Sequence, residues 1–343
     1  MNTIKHKEPD RVPMDAWFTP PILKRLCDDL GVKDEVQVKR KLKHDILTFQ
    51  MNVTASTYKK SFLSDGSYFD EFGIHWPATD FQDVMMPLEH PLKAEEDIDH
   101  LTFPDPHESW RYAELTNMVE KYGEEFAIFA GIGFTIFERA WSMRGLTRTM
   151  RDIVGNSAMM HRLLDKITEY DIEVAKEIVR YDIDCFYCGD DYAMQTGPFI
   201  SPTKWRQLIK PRLDRIFEIP RGRNLPISLH SCGNIMAIIP DLIDVGVNVI
   251  NPAQASAIDV NLVKRMYGKE ICLWGSLDTQ HTLPFGTVDE VKAEVKDRIK
   301  KLAPGGGLIL APVHTVLPDV PLGNIYAFVE AVEEYGKYPI SLS

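Results

Sequence analysis

The chain has 343 residues, 44% hydrophobic and 26% charged, which is enough apolar material for one large core or two smaller ones. A net charge of −11 at pH 7, with no face of lysines and arginines, excludes nucleic-acid binding through phosphates. The longest apolar run, 126–137, is too short to span a bilayer, MNTIKHKEPDRVP lacks the apolar segment of a targeting signal, and five cysteines without regular spacing argue against disulfides, so a soluble cytoplasmic protein is expected.

In chain order, RVPMDAWF (11–18) reads as a strand, with weaker strand signals near 46–53 and 68–87. An insertion is expected across 60–110, around SYFDEFGIHWPA and the proline-rich FPDPH (103–107). FAIFAGIGF (126–134) is strand-like, and so is DCFYCGDDY (184–192), which ends in acid. SPTKWRQLIKPRLDRIFEI predicts one helix, with Ser201 as N-cap and Pro202 in the first turn. PISLHSCG (226–233) is a strand, and NIMAIIPDLIDV has helical spacing up to Gly246. VNVINPAQ (247–254) is a further strand, after which Asp259 caps DVNLVKRMY and Gly268 ends it. ICLWGSLD (271–278) precedes a helix with Thr287 and Glu290 at capping-box spacing. PGGG leads into the strand LILAPVHT (308–315), and NIYAFVEAVEEY closes the series as a helix.

Strand, loop and helix in repetition mean parallel strands with crossover helices. The clear strands together with the two weaker ones predict an α/β fold, a single (β/α)₈ barrel formed by residues 1–343, with an open doubly wound sheet as the alternative. In a barrel, chemistry sits at the C-terminal ends of the strands. Those ends carry Asp190 and Asp191, His230 and Cys232, Asn251 and Gln254, Asp278, and His314.

Residues two apart on a strand share a face, so His230 and Cys232 are expected side by side at the barrel mouth while Ser231 points away. Imidazole and thiolate together suit zinc; a small core cysteine beside a hydrogen-bonded histidine is the competing reading. His314 is the best third ligand, with Asp190, Asp191 or Cys188 as substitutes. Cys185 and Cys188 lie three apart on one strand and face opposite ways, so they cannot share an ion. Cys27 and Cys272 read as packing residues. Asp190 and Asp191 are also candidates for acid–base catalysis, because adjacent carboxylates in a cleft split their pKa values.

EPDRVPMDAW, DEFGIHW (70–76), FAGIGFTIFERAWSMRG (129–145), GDDYAMQTGPFISPTKWRQLIKP (189–211), LHSCGNI, WGSLDTQHTL (274–283) and LAPVHTVLPDVP (310–321) run through nearly the whole chain. In these segments the chain resembles the uroporphyrinogen decarboxylase superfamily, and within it the corrinoid-dependent methyltransferases. The resemblance implies the (β/α)₈ barrel and a zinc ion on His230 and Cys232. Where that branch carries a cysteine as third ligand, this chain has His314, a histidine that the decarboxylase branch also carries. The decarboxylases' arginine-rich N-terminal signature, which holds substrate carboxylates, is reduced here to Arg11.

The function expected from the resemblance is methyl transfer between a small molecule and a corrinoid held by a carrier protein, since the chain shows no cobalamin-binding motif of its own. One cysteine and two histidines donate less negative charge than two cysteines and one histidine, which suits demethylation of an oxygen or similar donor. Asp190 or Asp191 is expected to manage the proton on the leaving atom, with Trp17, Phe134, Tyr192, Gln195, Asn251 and Asp278 as substrate contacts. A metal-free lyase acting on a carboxylated substrate and a non-catalytic ligand-binding barrel are the alternatives.

Overall fold

Strands buried on both faces divide their residues by parity between two cores. The computed structural model describes residues 1–51, 61–78 and 86–341, and in it this division organises the molecule. The strands are β1 (Ile46–Met51), the short β2 (Ser61–Phe62), β3 (Tyr68–Phe69) and β4 (His75–Trp76), then β5 (Ala127–Ile132) and β6 (Cys185–Gly189). A hairpin of β7 (Ala193–Met194) and β8 (Gly197–Pro198) follows, then β9 (Ile227–His230), β10 (Val249–Ala253), β11 (Cys272–Leu277) and β12 (Leu308–Pro312). Seven of them form one parallel sheet in the order β1-β5-β6-β9-β10-β11-β12.

Residues 11–18 lie where an eighth strand closes the curl. Leu310 N–H donates to the Pro13 carbonyl and Asp15 N–H to that of Leu310, while on the other edge Asp45 N–H donates to the Met14 carbonyl. The expected strand is therefore reduced to isolated bridges at Met14 and Phe18. Pro13 lacks a donor, and Met14 N–H goes to the Asp45 side chain instead of a backbone carbonyl, so no regular ladder forms.

The parallel order requires helical crossovers. The helices are α1 (Pro20–Leu30), α2 (Glu35–Lys41), α3 (Ala113–Tyr122), α4 (Ile136–Arg144), α5 (Leu146–Gly155) and α6 (Ala158–Ile178). The second half adds α7 (Pro202–Leu208), α8 (Lys210–Arg221), α9 (Ile239–Asp244), α10 (Val260–Tyr267), α11 (Thr282–Phe285), α12 (Val288–Leu302) and α13 (Leu322–Tyr335). Ser201 and Asp259 cap α7 and α10, and Thr287 with Glu290 completes a capping box on α12. None of these helices is long and apolar enough to cross a membrane.

Three expectations are corrected. The helix expected over 201–219 is two, α7 and α8, because Pro211 can occupy only a first turn and forces a new start after Ile209. For the same reason Pro240 places the start of α9 at Ile239, so that helix is shorter than its apolar spacing suggested. Near 68–87, β3 and β4 belong to an antiparallel sheet with β2, outside the barrel. The Asp70 carboxylate accepts from Phe72 and Ile74 N–H, and Gly73 takes φ +74°, so the chain doubles back there. Residues 52–53 and 79–85 of the two weaker expected strands lie outside the described residues.

Inside the sheet, Ile46, Phe129, Cys185, Tyr187, Val249, Cys272, Trp274 and Ile309 form one core. The opposite parity joins the helices in a second, larger core. Phe129, Trp17 and Tyr187 pack on Trp274 with ring centroids 5.3, 5.5 and 6.5 Å away, and Trp17 reaches the His230 ring at 5.8 Å. The barrel interior is thus filled by aromatic rings, and His230 rests on top of them.

Candidate metal centre

His230 ends β9, Cys232 follows two residues later, and His314 lies just past β12. One ligand atom from each lies within 4.8 Å of the other two. The strand stops at His230, so side-chain alternation is not what carries Cys232; a loop does. Its N–H donates to Asp191 Oδ1 at 2.7 Å, while Ser231 turns away and its hydroxyl accepts from Tyr192 N–H at 2.9 Å. Gly233 takes φ +86°, and a Cβ there would stand 2.5 Å from the Ala193 carbonyl oxygen. The glycine of HSCG is therefore required by the β7–β8 hairpin that packs over the loop.

The tautomer of His230 follows from its neighbour. Asn251 Nδ2 reaches the Trp274 carbonyl at 3.4 Å, which turns Oδ1 toward His230 Nδ1 at 2.5 Å. Nδ1 must then carry the proton, and the Nε2 lone pair is left facing Cys232 Sγ at 3.5 Å. Tetrahedral zinc with bonds of about 2.3 Å to sulfur and about 2.05 Å to nitrogen sets those two donors about 3.6 Å apart. Two imidazoles and one thiolate also match the borderline-soft preference of that ion, and the Asn251 contact is the outer-sphere support that metal-bound histidines need.

His230 and His314 border a cavity of about 120 Å³ whose walls also include Trp17, Gln50, Phe134, Glu138, Tyr187, Asp191 and Thr315. Glu138, Tyr187, Gln50 and Thr315 were not anticipated from the sequence. Glu138 had a legible signal, being an acid inside the apolar stretch that runs from β5 into α4. Burial lifts its carboxyl well above the ordinary range, the charges of Asp191 and Asp190 add to this, and the Asp191 N–H and Arg139 oppose it. Burial also raises the Cys232 thiol, helped by Asp191 and Glu138, and the Tyr187 phenol, helped first by Asp191.

The remaining sequence candidates divide by position. Trp17, Phe134 and Asp191 face the cavity. Asp190 is wholly buried and accepts from the Phe137 and Glu138 N–H groups at 2.8 and 2.7 Å, holding the start of α4. Burial raises its carboxyl to about 7 against those two bonds. Tyr192 packs edge-on against Trp205 at 5.5 Å, away from the cavity lining. Gln195 bonds Gln280 on the exterior. Asp278 accepts from the Gln280 and His281 N–H groups and so shapes its own turn. Asn251 touches His230 rather than the cavity, and Gln254 accepts from Gly233 N–H. Cys188, the remote alternative ligand, is buried against the Thr135 hydroxyl at 3.5 Å.

A barrel with His230, Cys232 and His314 at its mouth defines a class, and comparison with known proteins supplies the family. The family model described as uroporphyrinogen decarboxylase (URO-D) matches residues 81–335, and the chain belongs to that family. A methylcobamide:CoM methyltransferase, MtaA, of Methanosarcina barkeri is 28% identical over 216 residues, which cover 63% of this chain and 60% of that protein. A uroporphyrinogen decarboxylase of Chlorobium phaeovibrioides is 25% identical over 269 residues, 73% of each chain. In fold, the chain is similar to a solved methyltransferase from Methanosarcina mazei with a TM-score of 0.72 over 97% of this chain and 96% of that one, at 20% identity.

Proposed function

We propose that the chain is a zinc-dependent methyltransferase that moves a methyl group between a small molecule, such as a methoxylated donor, and a corrinoid held by a separate carrier protein. One observation carries this reading: His230 Nε2, Cys232 Sγ and a His314 nitrogen converge within 4.8 Å at the mouth of a barrel. These three would hold the zinc, and the MtaA relative supports the corrinoid as exchange partner. Bound there, zinc supplies Lewis acidity, stabilising charge on the heteroatom that gains or loses the methyl group.

The chain's own residues do the rest. Asn251 fixes the ring and tautomer of His230, and the Asp191 carboxylate anchors the loop that presents Cys232. Trp17, Phe134 and Tyr187 wall the cavity with apolar surface, which excludes water from the methyl group and its acceptor. A decarboxylase reading has less support, because tetrapyrrole carboxylates need cations. The cavity lining contains no lysine or arginine among the described residues, and Arg11 is committed to Asp45.

Metal analysis of the purified protein, paired with a methyl-transfer assay on a corrinoid protein, tests the proposal. About one zinc per chain is expected. His230→Ala is expected to lose both metal and transfer; retention of full transfer by a zinc-free His230→Ala protein would contradict the proposal.

A further inference from the structure

We propose that Glu138 is the catalytic acid of this site, the carboxyl group that delivers a proton to the heteroatom left behind when the methyl group departs. The inference rests on the methyl-transfer reading above. Glu138 is positioned by both ends of its own residue. Its N–H donates to Asp190 at 2.7 Å, which locks the first turn of α4, and its carboxylate lies within reach of the Asp191 N–H. Its side chain lines the same cavity as His230 and His314. A cavity of that volume, taken as a sphere, is about 6 Å across, so a substrate heteroatom inside it lies close to every wall.

The surroundings keep the proton on. The charged and titratable groups around Glu138 are Arg139 beside it on α4, Tyr187, Cys188, Asp190, Asp191 and Tyr192 from β6 and the loop after it, Cys232 after β9, and His230 and His314 across the cavity. Arg139 is the cation of this set, and its guanidinium stacks over the Phe72 ring at 4.0 Å instead of bonding Glu138. Asp191 stands with the metal ligands instead: its Oδ1 accepts from Cys232 N–H and lies 3.8 Å from His230 Nε2. Asp190 faces the helix rather than the cavity. Glu138 lies outside the cluster of three converging ligand atoms, which leaves it free of a ligand's role.

For a methoxylated donor, the step is balanced as follows. The carbon–oxygen bond breaks as the methyl group passes to the reduced corrinoid of the carrier protein, and the bonding electron pair stays on oxygen. The Glu138 proton joins that oxygen to give the hydroxyl product, and Glu138 is left as a carboxylate to be reprotonated from solvent.

The test uses zinc-loaded full-length protein and the variants Glu138→Gln and Glu138→Ala. Infrared difference spectra at neutral pH are expected to show a carboxylic-acid carbonyl band in the wild type that is absent from Glu138→Gln. Zinc content should match in all three proteins. Single-turnover demethylation is expected to fall about 100- to 10,000-fold in Glu138→Gln for donors with poor leaving groups. The loss should shrink for donors whose leaving oxygen is strongly acidic, because such oxygens need no proton. Absence of the band overturns the assignment, and so does a variant that keeps both the rate and its dependence on the leaving group. A zinc-loaded wild type that transfers methyl from no methoxylated donor overturns the parent reading instead.

Discussion

Two parts of this barrel bury ionisable side chains, and they are finished in opposite ways. Between the closing segment and α2, Lys39 and Asp15 are 2% and 1% exposed, meet at 2.6 Å, and Lys39 adds a bond to the Ile46 carbonyl. That pair is held within the protein by a direct ion contact through Asp15 Oδ1, and neither residue lines the cavity at the mouth. At the mouth, His230, Cys232 and His314 turn their donor atoms toward one another, and Glu138 has no ion-pair partner among the described residues. A buried charge that serves the fold carries its own counterion; buried groups that serve chemistry stay directed at space a ligand can fill.

The contrast can be broken from either side. The largest effect is expected at the mouth: His230→Ala and Cys232→Ser should each weaken zinc binding more than about 100-fold while leaving thermal stability of the metal-free protein nearly unchanged. Competition with a chromogenic chelator measures the first, and calorimetry of the apo protein the second. Beside α2 the ordering reverses. Lys39→Met strands the Asp15 carboxylate and should cost about 3–5 kcal/mol in urea unfolding, with zinc affinity unaltered.

The same pair predicts a pH dependence. Burial raises the Asp15 carboxyl from 3.8 to about 6, even beside Lys39, so the folded chain binds a proton more readily than the unfolded one. That contribution is fully present below pH 4 and is lost as pH rises to about 6, amounting to about 3 kcal/mol at 1.36 kcal/mol per pKa unit. Unfolding midpoints of wild type and Asp15→Asn should therefore converge or diverge only across that window; parallel curves from pH 4 to 6 would contradict the assignment. The smallest effect belongs to the support of the metal site. Asn251→Leu removes the acceptor for His230 Nδ1–H and should weaken zinc binding about 10- to 100-fold without changing stoichiometry, measured by the same chelator titration.

Much of the barrel was legible because parallel strands announce themselves as short apolar runs ending in polar residues. Boundaries were missed where a proline decides them, at Pro211 and Pro240, and where Pro13 denies the closing segment a ladder. The pairing of His230 with Cys232 was visible from spacing, yet the cause was not: strand alternation stops at His230, and Cys232 is held by a bond to Asp191 that spacing cannot show. Tyr192, Gln195 and Asp278 were polar residues near strand ends that the chain spends on packing and turns. Tyr187 lies within an apolar run, where only the three-dimensional cavity distinguishes it from a core ring, whereas Glu138 is legible as an acid inside such a run although its place at the cavity is not.

X-ray absorption at the zinc edge of the metal-loaded protein tests the central claim most directly. One sulfur at about 2.3 Å with nitrogen or oxygen neighbours at about 2.0–2.1 Å is expected, and the sulfur shell should vanish in Cys232→Ser. A zinc ion with no sulfur neighbour, or a sulfur shell that survives in that variant, would contradict the account.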